Sequence, residues 1–194
     1  MMIKRFSFAA ALVATMATAF VPHAAVADDD FLDSISQQLR FREAMSYRYK
    51  SEQRSVTVGV EAFGKKDQER ILGSKTGDFI TLDVAVTNDT PIRVHLNDIY
   101  VMSKGKIARQ EDLNLVVKDV DPGGGGKGNL RMSILRKGLF EKSLQTGIIE
   151  PGETAQGIVF IKKKHLKKSG VLHVRVQNLR QVVYLNYEVP FKLK

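Results

Sequence analysis

From Ser55 onward the chain alternates apolar and polar residues with a period of two. Val56, Val58 and Val60 alternate with Thr57, Gly59 and Glu61, and Ile80, Leu82, Val84 and Val86 with Thr81, Asp83, Ala85 and Thr87. Ile92, Val94 and Leu96 follow, set against Arg93, His95 and Asn97. The phase slips at Asn97-Asp98 and resumes at Ile99 and Val101, the pattern of a β-bulge. Residues 157–161 form a short, wholly apolar strand, and Leu172, Val174 and Val176 alternate with His173, Arg175 and Gln177. The final run reads as the longest strand, with Val183, Leu185, Tyr187, Val189, Phe191 and Leu193 on one face. Strict alternation predicts strands with one buried and one wet face, as antiparallel sheets have. Gly64-Lys65-Lys66-Asp67 reads as a turn or loop, and Asn88-Asp89-Thr90-Pro91 as turn chemistry. Short strands punctuated by turns predict an all-β fold, an antiparallel β-sandwich spanning residues 55–194.

Two segments depart from this pattern. In residues 28–54, Phe31, Ile35 and Leu39 recur every fourth residue, as do Phe41, Met45 and Tyr49. That spacing predicts an N-terminal α-helix over 28–50, with Asp28, Asp29 and Asp30 at its positive end and Arg40, Arg42, Arg48 and Lys50 toward the other. Residues 104–147 form a long insertion. Leu113, Leu115 and Val117 alternate as a strand would, residues 121–128 are a glycine-rich loop, and 130–140 suit a helix or a strand equally.

The first 27 residues stand apart from both. A lead with Lys4 and Arg5 precedes an apolar run over 8–21, then Pro22 and Ala25-Val26-Ala27. Charged lead, apolar run and small residues at a cleavage site make the pattern of a secretory signal peptide. The run is shorter than the roughly 20 apolar residues of a membrane span. No cysteine follows it to accept a lipid. No later segment approaches membrane length, so no transmembrane segment is expected after cleavage. The expected compartment is the periplasm, with secretion beyond the envelope as the alternative.

Removing Lys4 and Arg5 with this segment takes the formal net charge from +9 to +7. That charge favours anionic surfaces and partners. The expected partner is therefore another envelope protein or an anionic envelope component, and not nucleic acid. With no cysteine, thiol catalysis and cysteine metal sites are excluded, and the core carries the fold without disulfides.

Candidate chemistry is sparse, and no cofactor is expected. Gly123 to Gly126 before Lys127 resembles a phosphate loop only superficially, since Asp121 takes the place of its first glycine and Gly128 that of its hydroxyl residue. Ser133-Ile134-Leu135-Arg136 places Arg where a serine hydrolase of that spacing needs a lysine base. His95 and His173 lie on polar strand faces and form a weak two-histidine metal candidate, which needs neighbouring strands and further ligands. The densest charge is Lys162, Lys163, Lys164, His165, Lys167 and Lys168, a loop or one-turn helix suited to anions. Lys127 in the glycine loop joins them as a candidate partner contact. A solvated, aggregation-blocking loop is the competing reading.

The stretch Ile149-Glu150-Pro151-Gly152-Glu153, followed by Gly157-Ile158-Val159-Phe160, resembles a hairpin of bacterial exported immunoglobulin-like domains of the immunoprotective extracellular type. The stretch Leu82-Asp83-Val84-Ala85-Val86-Thr87-Asn88 is similar to their strand ending in a turn. The resemblance implies an immunoglobulin-like sandwich outside the cytoplasm, and no catalytic residues. The expectation is a non-enzymatic periplasmic binding or structural module. The alternatives are a small-ligand or zinc or copper carrier using His95 and His173, and an envelope enzyme with its site in the middle loop. Intact-mass analysis of protein recovered from the envelope is expected to place the first residue at Asp28, and a species retaining residues 1–27 would refute the signal reading.

Overall fold

The structure, a computed structural model, describes residues 37–73, 76–120, 128–166 and 168–193. The signal segment and the three leading aspartates lie outside the described residues. Nine strands and three helices follow in the order β1 (Tyr49–Gln53), β2 (Val56–Ala62), α1 (Lys65–Leu72), β3 (Phe79–Asn88), β4 (Val94–Ser103), β5 (Lys106–Arg109), α2 (Leu113–Val120), α3 (Gly128–Lys142), β6 (Gly147–Ile149), β7 (Thr154–Lys162), β8 (Ser169–Asn178) and β9 (Val183–Lys192). One sheet has the order β1-β2-β3-β7; the other runs β5-β4-β8-β9, with β6 also paired to β4. All strand pairs are antiparallel, so the molecule is a β-sandwich.

The inner faces supply the core. Val56, Val58, Val60, Leu82, Val84, Val86 and Val159 of the first sheet meet Leu96, Val101, Leu172, Val174, Val176, Leu185, Tyr187, Val189 and Phe191 of the second. These are the positions the alternation marks. The bulge falls where the phase slips, with the β4–β8 register shifting between Leu96 and Asp98. Asn88 builds the turn after β3. Its Nδ2 donates to the Ile92 and Ile149 carbonyls at 2.9 and 3.1 Å, and its Oδ1 accepts from the Thr90 hydroxyl at 2.6 Å.

The outer face of the first sheet differs from expectation. The alternation predicts it wet, but Thr57, Thr81, Asp83, Ala85 and Thr87 are all buried. The helices cover one part. Ile71 and Leu72 of α1, Val116, Val117 and Val120 of α2, and Leu135 and Leu139 of α3 pack on Phe79, Ile158 and Phe160. The molecule therefore has three layers: helices, sheet, sheet. The insertion supplies most of the third layer.

Leu113, Leu115 and Val117 lie on a helix, not a strand. Asp112 Oδ1 accepts the Asn114 backbone N–H at 2.8 Å at its start, and the buried residues follow helical spacing. Gly64-Lys65-Lys66-Asp67 is likewise a helix start rather than a turn. Gly64 occupies the cap position, and its N–H donates to the Asp67 carboxylate at 3.3 Å. The predicted N-terminal helix does not form in the described part of 28–50. Residues 37–43 lack regular structure, Ala44–Ser46 make one 3-10 turn, and β1 begins at Tyr49. The final strand has ten residues, as do β3, β4 and β8, so it is not the longest.

Lys142 ends α3 almost wholly buried and donates to the Ile71 carbonyl at 2.6 Å, joining α3 to the end of α1. Burial pulls its ammonium down to about 8, against a small opposing pull from Glu141. An unfolded lysine titrates near 10.4. Between those values the unfolded chain holds more protons than the folded one, so stability rises with pH across that window. Burial pushes the Tyr47 and Tyr187 hydroxyls above their ordinary values, which acts the other way only above about pH 10. Denaturant titrations from pH 7 to 9.5 are expected to show the wild-type gaining about 2 kcal/mol that Lys142→Met does not gain.

Candidate functional site

Two clefts mark the surface. The first lies where residues 39–46 cross the outer face of the first sheet beside α1. It has a volume of about 720 Å³ and includes Arg40, Arg42, Glu61, Asp67, Arg70 and Asp83 in its lining. Asp83 is 4% exposed in mid-strand, yet it is fully engaged. The Gln156 amide donates to its Oδ1 at 3.1 Å and lies 3.0 Å from the Tyr47 hydroxyl. Arg42 Nη1 lies 2.7 Å from Glu61 and 3.9 Å from Asp83, and its guanidinium sits 4.0 Å above the Tyr47 ring.

Burial pushes the Asp83 carboxyl above its ordinary value, opposed by Gln156, Tyr47 and Arg42. Burial works against the Arg42 charge, but Glu61, Tyr47 and Asp83 together outweigh it and hold the guanidinium charged. Gln156 also accepts the Arg42 backbone N–H at 2.9 Å and donates to the Arg40 carbonyl at 3.1 Å. This network fixes a chain segment to a sheet. Its cations and carboxylates neutralise one another, so the cleft presents little net charge to a ligand.

Gly59 completes the attachment. A Cβ there would stand 2.6 Å from the Ala44 carbonyl oxygen and 2.8 Å from Tyr47 Cβ. Only glycine lets the segment lie this close. Ala44 in turn donates its N–H to the Thr87 hydroxyl at 2.9 Å.

The second cleft lies at one end of the second sheet and has a volume of about 850 Å³. Register builds it. Met102, Val171 and Pro190 of the lining lie side by side across β4, β8 and β9, and Ile107 of β5 continues the row beyond the cleft. Their neighbours Val101, Ala108, Leu172, Val189 and Phe191 face the core, so this row faces out. Next along the sheet come Ser169 and Lys192, paired with each other. Lys104 in the β4–β5 turn and Lys168 before β8 complete the rim, and Tyr49 is also in the lining. Among the described residues no carboxylate lines the cleft.

The lysine loop divides in two. Residues Lys163–His165 form one 3-10 turn, as a short helix reading allows. Lys162 pairs with Glu111 at 3.1 Å, and Lys163 Nζ donates to the Thr76 carbonyl at 3.1 Å and to that of Gly77. These two tie β7 to its surroundings. Lys164 and Lys168 are exposed and His165 is half-buried, but only Lys168 among the sequence candidates lines the cleft. Lys127 and Lys167 lie outside the described residues. Lys104 and Lys192 were not singled out by sequence. Each sits in unremarkable local context, a turn and a polar strand face, and only strand register brings them together.

The histidines are on neighbouring strands but are not brought together. His95 pairs with Gln177 and His173 with Tyr100, four residues apart along β8, or about 13 Å. His173 stacks on Tyr100 with ring centroids 4.8 Å apart, its Nδ1 3.7 Å from Glu188. His95 Nδ1 lies 2.8 Å from Asn97 Oδ1. Among the described residues no group of three or more His, Asp or Glu is placed to hold a metal ion. No described helix is long and apolar enough to cross a membrane.

Fold and site define a class: an antiparallel β-sandwich with helices on one outer face and a lysine-rimmed cleft at one end. No family model and no curated protein matches the chain. Among solved structures, it is similar to a Northeast Structural Genomics Consortium target at 14% identity and a TM-score of 0.34, covering 71% of this chain and 83% of that one. It is also similar to a "putative lipoprotein" from Bacillus subtilis at 11% identity and a TM-score of 0.37. That alignment covers 76% of this chain and 38% of the Bacillus chain, so the chain spans well under half of that protein's length.

The attachment network makes a specific demand. Gln156→Leu strands the Asp83 carboxylate and frees the Arg40 and Arg42 backbone. It is expected to cost about 2–4 kcal/mol in denaturant unfolding and to expose residues 39–46 to limited proteolysis. Wild-type stability in this variant would show that the network holds nothing.

Proposed function

We propose that the protein is a non-enzymatic binding module of the cell envelope, of the exported immunoglobulin-like kind, that engages an anionic envelope component through the lysine-rimmed end of its second sheet. The observation that carries this reading is the convergence of Lys104, Lys168 and Lys192, from three separate elements, on one cleft with no carboxylate among its described lining residues. Several cations elsewhere have a carboxylate at close range, Arg42 with Glu61, Arg93 with Glu150, Arg109 with Asp98 and Lys162 with Glu111. A charged end of this kind draws anions from a distance and holds them on contact. The predicted export signal and the net positive charge of the processed chain agree with an acidic surface as the target.

The test uses lipid vesicles. The protein is expected to bind vesicles containing phosphatidylglycerol but not pure phosphatidylcholine, with affinity falling as salt rises. Lys104→Gln, Lys168→Gln and Lys192→Gln together are expected to lower that affinity about 100-fold, at roughly 1 kcal/mol per lysine near an acidic surface. Binding to both vesicle types alike, or to neither, would count against the reading.

A further inference from the structure

We infer that the cleft at this end is a ligand site for an amphipathic anion: one aliphatic chain ended by a carboxylate or phosphate. The inference rests on the binding reading above and deepens it. Charge alone calls for no cavity, yet this end has one of about 850 Å³, within the range of small-ligand sites. Its chemistry is graded along the sheet. The row of Met102, Val171 and Pro190 offers an apolar floor, and Tyr49 lines the cleft beside it. One step toward the end of the strands the lining turns to Lys104, Lys168 and Lys192.

A chain laid on the apolar row brings its terminal group to the lysines. The ammonium groups are compact charges with three donors each, and they accept carboxylate and phosphate without demanding a planar fork. Two neighbouring polar groups are already used. The Ser103 hydroxyl donates to the Ser169 carbonyl at 3.0 Å, and the Leu193 N–H to the Lys168 carbonyl at 2.9 Å. The lysines, with the Ser169 hydroxyl beside Lys192, provide the polar recognition, and the apolar row provides the selection for a chain. Met102 is an adaptable floor residue, because its unbranched thioether shapes itself to a flexible chain.

The other cleft offers no such site. Its arginines and carboxylates neutralise one another, and the segment that walls it is itself held by that network.

The test is calorimetric titration of the whole processed chain with dodecanoate and dodecyl phosphate below their micelle concentrations, beside decanoate, dodecanol and inorganic phosphate. Dodecanoate and dodecyl phosphate are expected to bind at one site. Each methylene removed is expected to weaken binding about fourfold, so decanoate binds more than tenfold less tightly. Dodecanol and inorganic phosphate are expected to bind at least tenfold more weakly than dodecyl phosphate. In methyl-labelled protein the Met102 methyl resonance is expected to shift on titration. Val171→Trp, which fills the floor, is expected to abolish dodecanoate binding; should that variant misfold, the chain-length series and the Met102 shift decide on the wild-type protein alone.

Absence of dodecanoate and dodecyl phosphate binding, with phosphatidylglycerol vesicles still bound, overturns the ligand site and leaves the binding reading standing. Loss of both overturns both. Binding of dodecyl phosphate but not dodecanoate identifies a phosphate headgroup as the source of the anion, and equal binding identifies a free acyl carboxylate as sufficient.

Discussion

Asp83 stands in the middle of β3, a strand buried on both faces, and much of the rest of the molecule is arranged around that position. A carboxylate taken out of water is costly unless it is paired and hydrogen-bonded. Here the partners come from far along the chain: Tyr47 and Arg42 from before β1, Gln156 from β7, and Glu61 of β2 to balance Arg42. The requirement runs in both directions. Asp83 needs the N-terminal segment to lie over it, and the segment lies there because Gly59, Ala85 and Thr87 leave it room and a hydrogen bond. A buried ionic network of this type adds little net stability against apolar packing, but it admits only one placement of the segment. It therefore acts chiefly to specify geometry, which its position at the start of the sandwich rewards.

The same sheet shows why the helical layer exists. Beyond Asp83 the outer face carries Phe79, Ile158 and Phe160, which cannot be left in water in the middle of a sheet. The three helices cover them, each with a short apolar stripe. Gly157 lets the chain after α3 come down onto β7, since a Cβ there would overlap the Leu144 backbone. Leu144 N–H then donates to the Ile158 carbonyl at 3.0 Å. The insertion between β5 and β6 is thus part of the fold's closure and not an appendage to it.

These two features explain what was legible in the sequence. The inner faces were, because alternation of Val, Leu and Ile is set by the pleat and by one core. The bulge at Asn97 and the Asn88 turn were also readable, because their chemistry is local. The outer face of the first sheet was not. Thr57, Thr81, Asp83 and Thr87 are polar, and polar residues on alternate positions signal water unless a covering element is known. The fourfold spacing of Phe41, Met45 and Tyr49 suggests a helix, yet tertiary contacts to Thr87 and Gln156 hold 37–43 irregular and 44–46 in a single 3-10 turn, and override it. The lysine-rimmed cleft was half visible: Lys168 belongs to a charge run that any reader sees, whereas Lys104 and Lys192 depend on strand register, which no single segment encodes.

The two clefts show how the same residue types lead to opposite chemistry. Around Asp83, Arg42 faces the Glu61 and Asp83 carboxylates within 4 Å, and their fields cancel a short distance away. At the other cleft the cations share one sign and the neighbouring side chains are apolar, so nothing inside the cleft cancels them. Like charges brought together on a surface oppose folding, and the cost falls when a counter-charge arrives. The sandwich tolerates this because the lysines stand at strand ends and turns, where long side chains can spread into solvent. Their apolar neighbours cannot spread, being fixed in one row by the register of three strands. The mobile part of the site is therefore its charge and the rigid part its apolar floor. That division favours a ligand whose chain fits one groove and whose head group need only be negative.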